Sequence, residues 1–469
     1  MMNRTKETWA ANELRYVQLG DARLNKRLVK VVGALASHAA SSVPEACESW
    51  AETKGVYRLW DSPRVTPQAI RQAHVRSTVE RVEGLGEVLV IQDTTNLDVT
   101  HRPATKGVGP LDRPSRQGVK VHSALAVSTH GVPLGIIYQQ DWVRDPDTVG
   151  KKHKRRQLET KDKESQRWLS ALEATQELIS QHTTVVTVAD READIYDLWA
   201  TPRRPGSELL IRVSHNRRVK HQARYLWDAV LQSPVEGEMN IQLNRSDTRP
   251  PREATLTVRY TKLAIRAPAH RESKEHLEPV QAQVILAQEE NPPTAVTPVR
   301  WLLFTTLPVR NCQDAIRYLR WYSYRWLVER YHYVLKSGCN IEKLQLQEVD
   351  RILRALATYC IVAWRLLWLT YEARHNPDSP CDSVLQVHEW QSLYCTVNKT
   401  PVPPETPPIL REAVRWIARL GGFLGRRHDG DPGVKTIWRG LRRLNDIAET
   451  WKLLNPDHST HHIRLVGKA

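Results

Sequence analysis

The sequence predicts an α/β core flanked by helical regions at both ends, and three observations carry that prediction. Two apolar runs, Val88-Leu89-Val90-Ile91-Gln92-Asp93 and Val185-Val186-Thr187-Val188-Ala189-Asp190, read as buried strands that each end on an aspartate. Strand-like and helix-like patterns alternate between about residues 76 and 213. Helical spacing of apolar residues dominates before about residue 75 and again from about residue 312.

The elements follow in order. Asp21 is a plausible N-cap, and after it Leu24, Leu28, Val31, Val32 and Leu35 recur on one helical arc. Arg23, Lys26, Arg27 and Lys30 share an adjoining arc, which is either a solvated face or a helix lying along phosphates. Strands are expected at 88–93, 119–127 and 134–141, the last two joined by a turn at His130-Gly131. The polar run Lys151-Lys152-His153-Lys154-Arg155-Arg156 has no apolar periodicity and reads as a loop. A helix at 164–179, a strand at 185–188, a helix at 193–199 and a strand at 209–213 complete the set. This order, β-β-β-α-β-α-β, is that of the RNase H-like fold, whose first and fourth strands lie side by side and would bring Asp93 to Asp190.

Alternation in Ala254-Thr255-Leu256-Thr257-Val258 and Gln281-Ala282-Gln283-Val284-Ile285-Leu286 marks residues of about 215–300 as a β-rich insertion, closed by an apolar strand from Trp301 to Thr306. Helices resume near 312 and run to Arg374; proline-rich stretches at 376–380 and 401–408 punctuate the chain before a last helical part with Val414, Ile417 and Leu420 in period. The expected domains are an N-terminal helical region at 1–75, an RNase H-like region at 76–372, and a C-terminal helical region at 373–469.

Composition narrows the function. The 469 residues carry a formal net charge of +16 and a pI near 9.6, with 41% hydrophobic and 26% charged residues, which is globular and basic. Lys/Arg clusters at 23–30, 151–156, 217–220 and 425–443 suit a polyanion that touches several surfaces better than a membrane-facing stripe. No uninterrupted apolar run reaches the roughly 18 residues of a membrane span; the longest candidate, Tyr359 to Leu369, contains Arg365. The stretch from Met1 to Glu7 has no apolar h-region, so no signal peptide and no membrane partner are expected. Cys47, Cys312, Cys339, Cys360, Cys381 and Cys395 include no CxxC pair, which favours reduced thiols in a cytoplasm over a zinc site or disulfide framework.

Asp93, Asp190 and Glu329 are the candidate catalytic residues. Carboxylates brought together from strand ends and a helix make an all-oxygen site suited to hard divalent ions. Tyr322, Arg325, Glu329 and Lys336 fall within an arc of about 60° at about 100° per residue, so one continuous helix would show a carboxylate flanked by two cations and a phenol.

These motifs resemble the DDE transposases of bacterial insertion sequences, specifically the insertion-sequence-four family that includes the transposon-five type. Gln92-Asp93-Thr94-Thr95 is similar to the family's first-aspartate motif and Asp190-Arg191-Glu192-Ala193-Asp194-Ile195 to its second. Tyr322, Arg325, Glu329 and Lys336 match its Y-(2)-R-(3)-E-(6)-K signature. Softer likeness extends to Leu19-Gly20-Asp21-Ala22-Arg23 and Ala418-Arg419-Leu420-Gly421-Gly422-Phe423, so it covers nearly the whole chain. Tyr333 departs from the pattern, because at least some relatives carry a second lysine there.

The resemblance implies two Mg²⁺ ions per active site, replaceable by Mn²⁺, with Asp93 bridging both and Asp190 and Glu329 each holding one. It implies a homodimer in a synaptic complex on transposon-end DNA. Water nicks one strand, the freed 3′-OH forms a hairpin, water reopens it, and the end joins target DNA. Trp301 matches an indole that stacks on a flipped base, against the plainer reading of core packing; Arg212 matches a DNA-contacting arginine, against that of a solvated strand end. Arg23 and Arg27 would contact DNA from the first helical region. The expected location is the cytoplasm, at the nucleoid when bound. Two other readings compete: a stand-alone RNase H-like nuclease, against which the basic helix and the insertion argue, and a non-catalytic DNA-binding repressor, against which the intact triad argues.

Overall fold

The structure, a computed structural model, describes residues 8–113, 115–148, 160–243, 251–269, 271, 277–294 and 296–455, so the basic run at 151–156 lies outside the described residues. The chain opens with helices α1 (Trp9–Glu13), α2 (Ala22–Ser37), α3 (Val43–Ala46), α4 (Trp50–Asp61) and α5 (Pro67–Val82). Asp21 caps α2 by accepting the Arg23 N–H at 2.7 Å. Leu28, Val31, Val32 and Leu35 are buried and Leu24 half-buried, as the periodicity predicts. The basic arc is uneven: Arg23, Lys26 and Lys30 are exposed, whereas Arg27 is half-buried beside Gly55 of α4.

Helix α5 runs through residue 75 and fastens the N-terminal helices to the sheet. His74 Nδ1 lies 2.6 Å from Glu13 Oε1 and Arg81 donates to Glu13 Oε2 at 2.7 Å. The Ile136 N–H donates to His74 Nε2 at 2.9 Å, which leaves the proton on Nδ1, pointed at Glu13.

The sheet begins with β1 (Glu87–Asp98), β2 (Gly109–Pro110), β3 (Gln117–Ser128) and β4 (Pro133–Trp142). Gly131, at a φ of 89°, makes the β3–β4 turn in a left-handed conformation that a side chain would strain. Helix α6 (Gln166–Leu178), β5 (Thr184–Ala189), α7 (Tyr196–Ala200) and β6 (Ser207–Arg212) follow, then α8 (Leu226–Leu231), β7 (Gly237–Leu243), β8 (Arg252–Ile265), β9 (Val280–Gln288) and β10 (Arg300–Thr305). The described strands form one ten-stranded sheet in the order β2-β3-β1-β5-β6-β10-β9-β8-β7, with β4 also on β3. The β-rich insertion is therefore a continuation of the core sheet, because β10 pairs with β6 on one edge and β9 on the other.

Strand β1 overruns its expected end. Asp93 lies inside it, not past it, because antiparallel pairing with β3 continues from Val88↔Ser128 to Asp98↔Gly118 after the parallel pairing with β5 stops at Ile91↔Val188. One edge of β1 is thus unpaired from the point where Asp93 stands.

After β10 come α9 (Cys312–Ser323), α10 (Trp326–Tyr333), a π turn (Val334–Gly338), α11 (Val349–His375), α12 (Val387–Asn398), α13 (Leu410–Leu420) and α14 (Val434–Leu454). The single helix expected from Tyr322 to Lys336 is broken twice. Arg325 N–H donates to Tyr322 O and Leu327 N–H to Tyr324 O, three-residue bonds that end α9 in a tight turn, and the π turn closes with Cys339 N–H on Val334 O at 2.8 Å. Helix α11 is long and apolar enough to cross a membrane by length and composition, but 78% of its apolar window is buried inside the fold, against α2, α5 and β4. Helices α13 and α14 cross at glycines: a Cβ on Gly421 would fall 1.8 Å from Thr436 O, and one on Gly440 1.7 Å from Ile417 O.

Candidate active site

Two strand edges and one helix meet here. Carried two residues beyond its last pair, the β1–β5 register sets Asp93 opposite Asp190. Asp190 caps a short 3-10 turn, its Oδ1 accepting the Glu192 N–H at 2.8 Å. Burial and the neighbouring Asp93 charge raise the Asp190 pKa, against the pull of Glu192 N–H, Arg325 and Arg212. Glu192 is raised in the same way, by burial first and then by Asp190 and Asp93, with Arg167 opposing. Crowded carboxylates whose protonation is favoured by burial and mutual repulsion are a donor set that a divalent cation would relieve, and their oxygens suit a hard ion.

Glu329 enters from α10. Its Oε1 accepts from Arg325 Nη1 at 2.5 Å, and its side chain is 40% exposed. Burial opposes the Arg325 charge, but Tyr322, Glu329 and Asp93 outweigh it and raise its pKa. Arg325 therefore stands within the field of all three carboxylates. Among the described residues no three His, Cys, Asp or Glu side chains converge closely enough to hold an ion as they stand, which fits Glu329 being turned towards Arg325.

Tyr322, Arg212 and Trp301 make one wall. The Tyr322 hydroxyl is buried without a well-formed hydrogen bond, and burial raises its pKa against nearby Arg325 and Arg212. Arg212, the last residue of β6, donates to Arg300 O at 3.0 Å. The half-buried Trp301 ring meets Tyr322 edge-on at 5.6 Å. Lys336 is elsewhere: the π turn carries it off the α10 face, and its Nζ lies 3.3 Å from Glu342 Oε1. Arg23 and Arg27 lie on α2, in the N-terminal helical region.

Several neighbours escaped the sequence reading. His332, one turn beyond Glu329, has Nδ1 3.7 Å from Asp93 Oδ2 and Nε2 3.2 Å from Ser123 Oγ, and Ser123 is the cross-strand partner of Asp93. On α6, Arg167 donates to Thr94 Oγ1 and to Glu192 Oε2, each at 2.8 Å. Thr94 Oγ1 sits 2.9 Å from His122 Nδ1, and His122 Nε2 lies 3.2 Å from Gln92 Oε1, a relay that runs from the strand surface into the core. Burial, then Arg167 and His332, hold the His122 pKa well below the ordinary value, so it is the neutral form that links them. Trp326, beside Arg325, is 57% exposed. A spacing of three from Glu329 was the signal for His332; no local signal marks Arg167.

Three family descriptions match the chain: a transposase DNA-binding domain over residues 6–65, a transposase DDE domain over 84–365, and a transposase Tn5 dimerisation domain over 361–455. The middle match spans more than half of the chain and contains Asp93, Asp190 and Glu329. The chain belongs to the DDE transposases, enzymes here equipped with a DNA-binding region and a region of the Tn5 type for pairing with a second copy.

Proposed function

We propose that this transposase works by cut and paste: it binds the inverted repeats at transposon ends, nicks them, excises through a hairpin and joins the 3′-OH ends to target DNA. The observation that carries the reading is the confluence of Asp93 and Asp190 at the open edge of β1, with Arg325 linking them to Glu329. In this reading Asp93, Asp190 and Glu329 hold two Mg²⁺ or Mn²⁺ ions, which when bound activate the attacking oxygen and stabilise the leaving one in an in-line displacement. Arg325 and the Tyr322 hydroxyl, which sits beside Arg212 without a well-formed hydrogen bond, bind the phosphate next to the scissile bond, and Arg212 supports them. Lys336 follows the backbone away from the cut, Trp301 receives an extruded base, and Arg23 and Arg27 contact the end DNA.

The order of bonds is simple. Water attacks one phosphodiester and a 3′-oxygen leaves as 3′-OH. That hydroxyl attacks the phosphodiester of the opposite strand, expelling the 3′-oxygen of the flanking DNA and closing a hairpin. Water cleaves the hairpin phosphodiester and frees the 3′-OH again, which attacks a target phosphodiester and expels a target 3′-oxygen. Two protomers acting in one synaptic complex would process both ends, with the residues at 1–75 reading DNA and those at 373–469 pairing the copies. Such work places the protein in the cytoplasm, at the nucleoid when bound.

The test is a gel assay on end duplex flanking the gene. Nicked and hairpin products with Mg²⁺ or Mn²⁺, binding alone with Ca²⁺, and joined target DNA are expected. Robust cleavage in EDTA would sink the metal assignment. Nicking without joining would mean a nuclease, and binding without any cleavage a repressor.

A further inference from the structure

A groove of about 1060 Å³ opens where α14, the π turn after α10 and the loop following α2 meet. Lys435, Arg439 and Arg442 line it at steps of four and three residues, so they form one stripe along α14, and all three are exposed. Lys336 and Lys343 line it as well. Against these cations and Arg443 the groove sets two carboxylates: Glu342, which faces Lys336 and accepts the Asp98 N–H at 2.9 Å, and the exposed Asp446, 3.3 Å from His38 Nε2. The stripe therefore presents cationic charge that the groove itself does not neutralise.

Two aromatic residues, Tyr333 and Trp438, sit among these cations, and only the first is exposed. Tyr333, 37% exposed, lies four residues beyond Glu329 on α10, and its ring centroid is 5.7 Å from that of Trp438. Trp438 is 7% exposed and packs so tightly over Gly338 that a Cβ there would stand 3.0 Å from the indole, so the platform under Tyr333 is fixed. Opposite, Gly422 turns at a φ of 93° with no atom within 4 Å of a built Cβ, which leaves that wall open.

Phosphates need only positive charge, whereas an exposed ring beside the charge serves a base whose face is free. A duplex hides its base faces; a single strand shows them. We propose that this groove binds single-stranded DNA next to the cleavage site, with phosphates along Lys435, Arg439 and Arg442 and one unpaired base on Tyr333. The proposal rests on the reading of the protein as a DNA-cleaving transposase and adds a strand path to it.

The full-length protein in EDTA, which prevents cutting, is irradiated with an unrelated single-stranded oligonucleotide carrying 5-iodouracil, and cross-linked peptides are mapped. A cross-link on the peptide containing Tyr333 is expected. Tyr333→Lys should lose it and weaken single-strand binding about tenfold, while Tyr333→Phe keeps both. Replacing Arg439 and Arg442 with Ala should flatten the slope of log affinity against log salt by about 1.4. Melting curves establish that the variants fold. Cross-links confined to other peptides, an unchanged salt slope in a folded variant, or equal loss of duplex and single-strand binding in Tyr333→Lys would each overturn the proposal. A protein that cross-links at Tyr333 yet never nicks end DNA would instead sink the cut-and-paste reading and leave the groove standing.

Discussion

Arg325 and Glu329 are joined at 2.5 Å across the start of α10, so the carboxylate expected to hold metal is held by a guanidinium. The tight turn at Tyr324-Arg325 puts Arg325 at the N-cap position, one turn before Glu329 and inside the field of Asp93 and Asp190. Glu329→Gln keeps the size and loses the charge. Nicking should fall by orders of magnitude while end binding persists. Arg325→Ala should instead weaken DNA binding, and its defect should shrink at high salt as the wild type weakens too. A gel shift beside a cleavage time course separates them; equal loss of both activities in Glu329→Gln would remove the metal assignment.

His332 stands between Asp93 and its strand partner Ser123, with Nδ1 3.7 Å from Asp93 Oδ2 and Nε2 3.2 Å from Ser123 Oγ, where it could orient the carboxylate. His332→Asn places an amide donor near the Nδ1 position and His332→Gln one near Nε2. If orientation of Asp93 matters, Asn should retain more cleavage than Gln or Ala, and the Ala variant should need more Mn²⁺ for half-maximal nicking, by about 10- to 100-fold. End binding and the Mn²⁺-free melting temperature report folding separately. A uniform loss across Asn, Gln and Ala that tracks the melting temperature would mean simple packing.

The two aspartates were legible because apolar strand runs fix where a parallel register must end, and Asp93 and Asp190 close two such runs. The insertion was legible as strands but not as part of the same sheet, since pairing of β10 with both β6 and β9 is a long-range choice. The breaks around α10 were not legible. Ser323, Tyr324 and Arg325 include no glycine or proline, and nothing in Val334-Leu335-Lys336 announces a π turn. Hence Tyr322, Arg325 and Glu329 stand near one another despite the first break, while the second carries Lys336 off to Glu342. Arg27 was assigned to an exposed arc because periodicity within α2 carries no information about α4.

Acid should loosen the N-terminal helices from the sheet. Burial alone would raise the Glu13 pKa, but His74 and Arg81 outweigh it and bring it to about 2 from 4.5. Its stabilisation is complete above the unfolded value and is lost as pH falls through the folded one, on the order of 3 kcal/mol in all. His74 adds to the same trend: burial lowers its pKa, so the unfolded chain takes up protons first as pH drops below about 6.5. Melting temperature should therefore decline from pH 6.5 and more steeply below 4.5. Glu13→Gln should lower stability at pH 7 and flatten the steep limb; an unaltered limb would assign acid sensitivity to other groups.

Trp301 offers the sharpest division between chemistry and packing. Its ring is half-buried and meets Tyr322 edge-on, so part of it supports the wall and part remains open. If the open part stacks on an extruded base, Trp301→Ala should spare the first nick, which needs only water, metal and carboxylates, and slow hairpin formation by roughly 5- to 150-fold. Trp301→Phe should keep the Tyr322 contact and recover much of that step, because a smaller ring still offers a π-face. A core role predicts otherwise: truncation would cost about 3–5 kcal/mol of stability and depress nick and hairpin together. Denaturing gels that resolve nicked from hairpin DNA, read beside a melting curve, decide between them, and a large fall in melting temperature with both products lost would make Trp301 a packing residue.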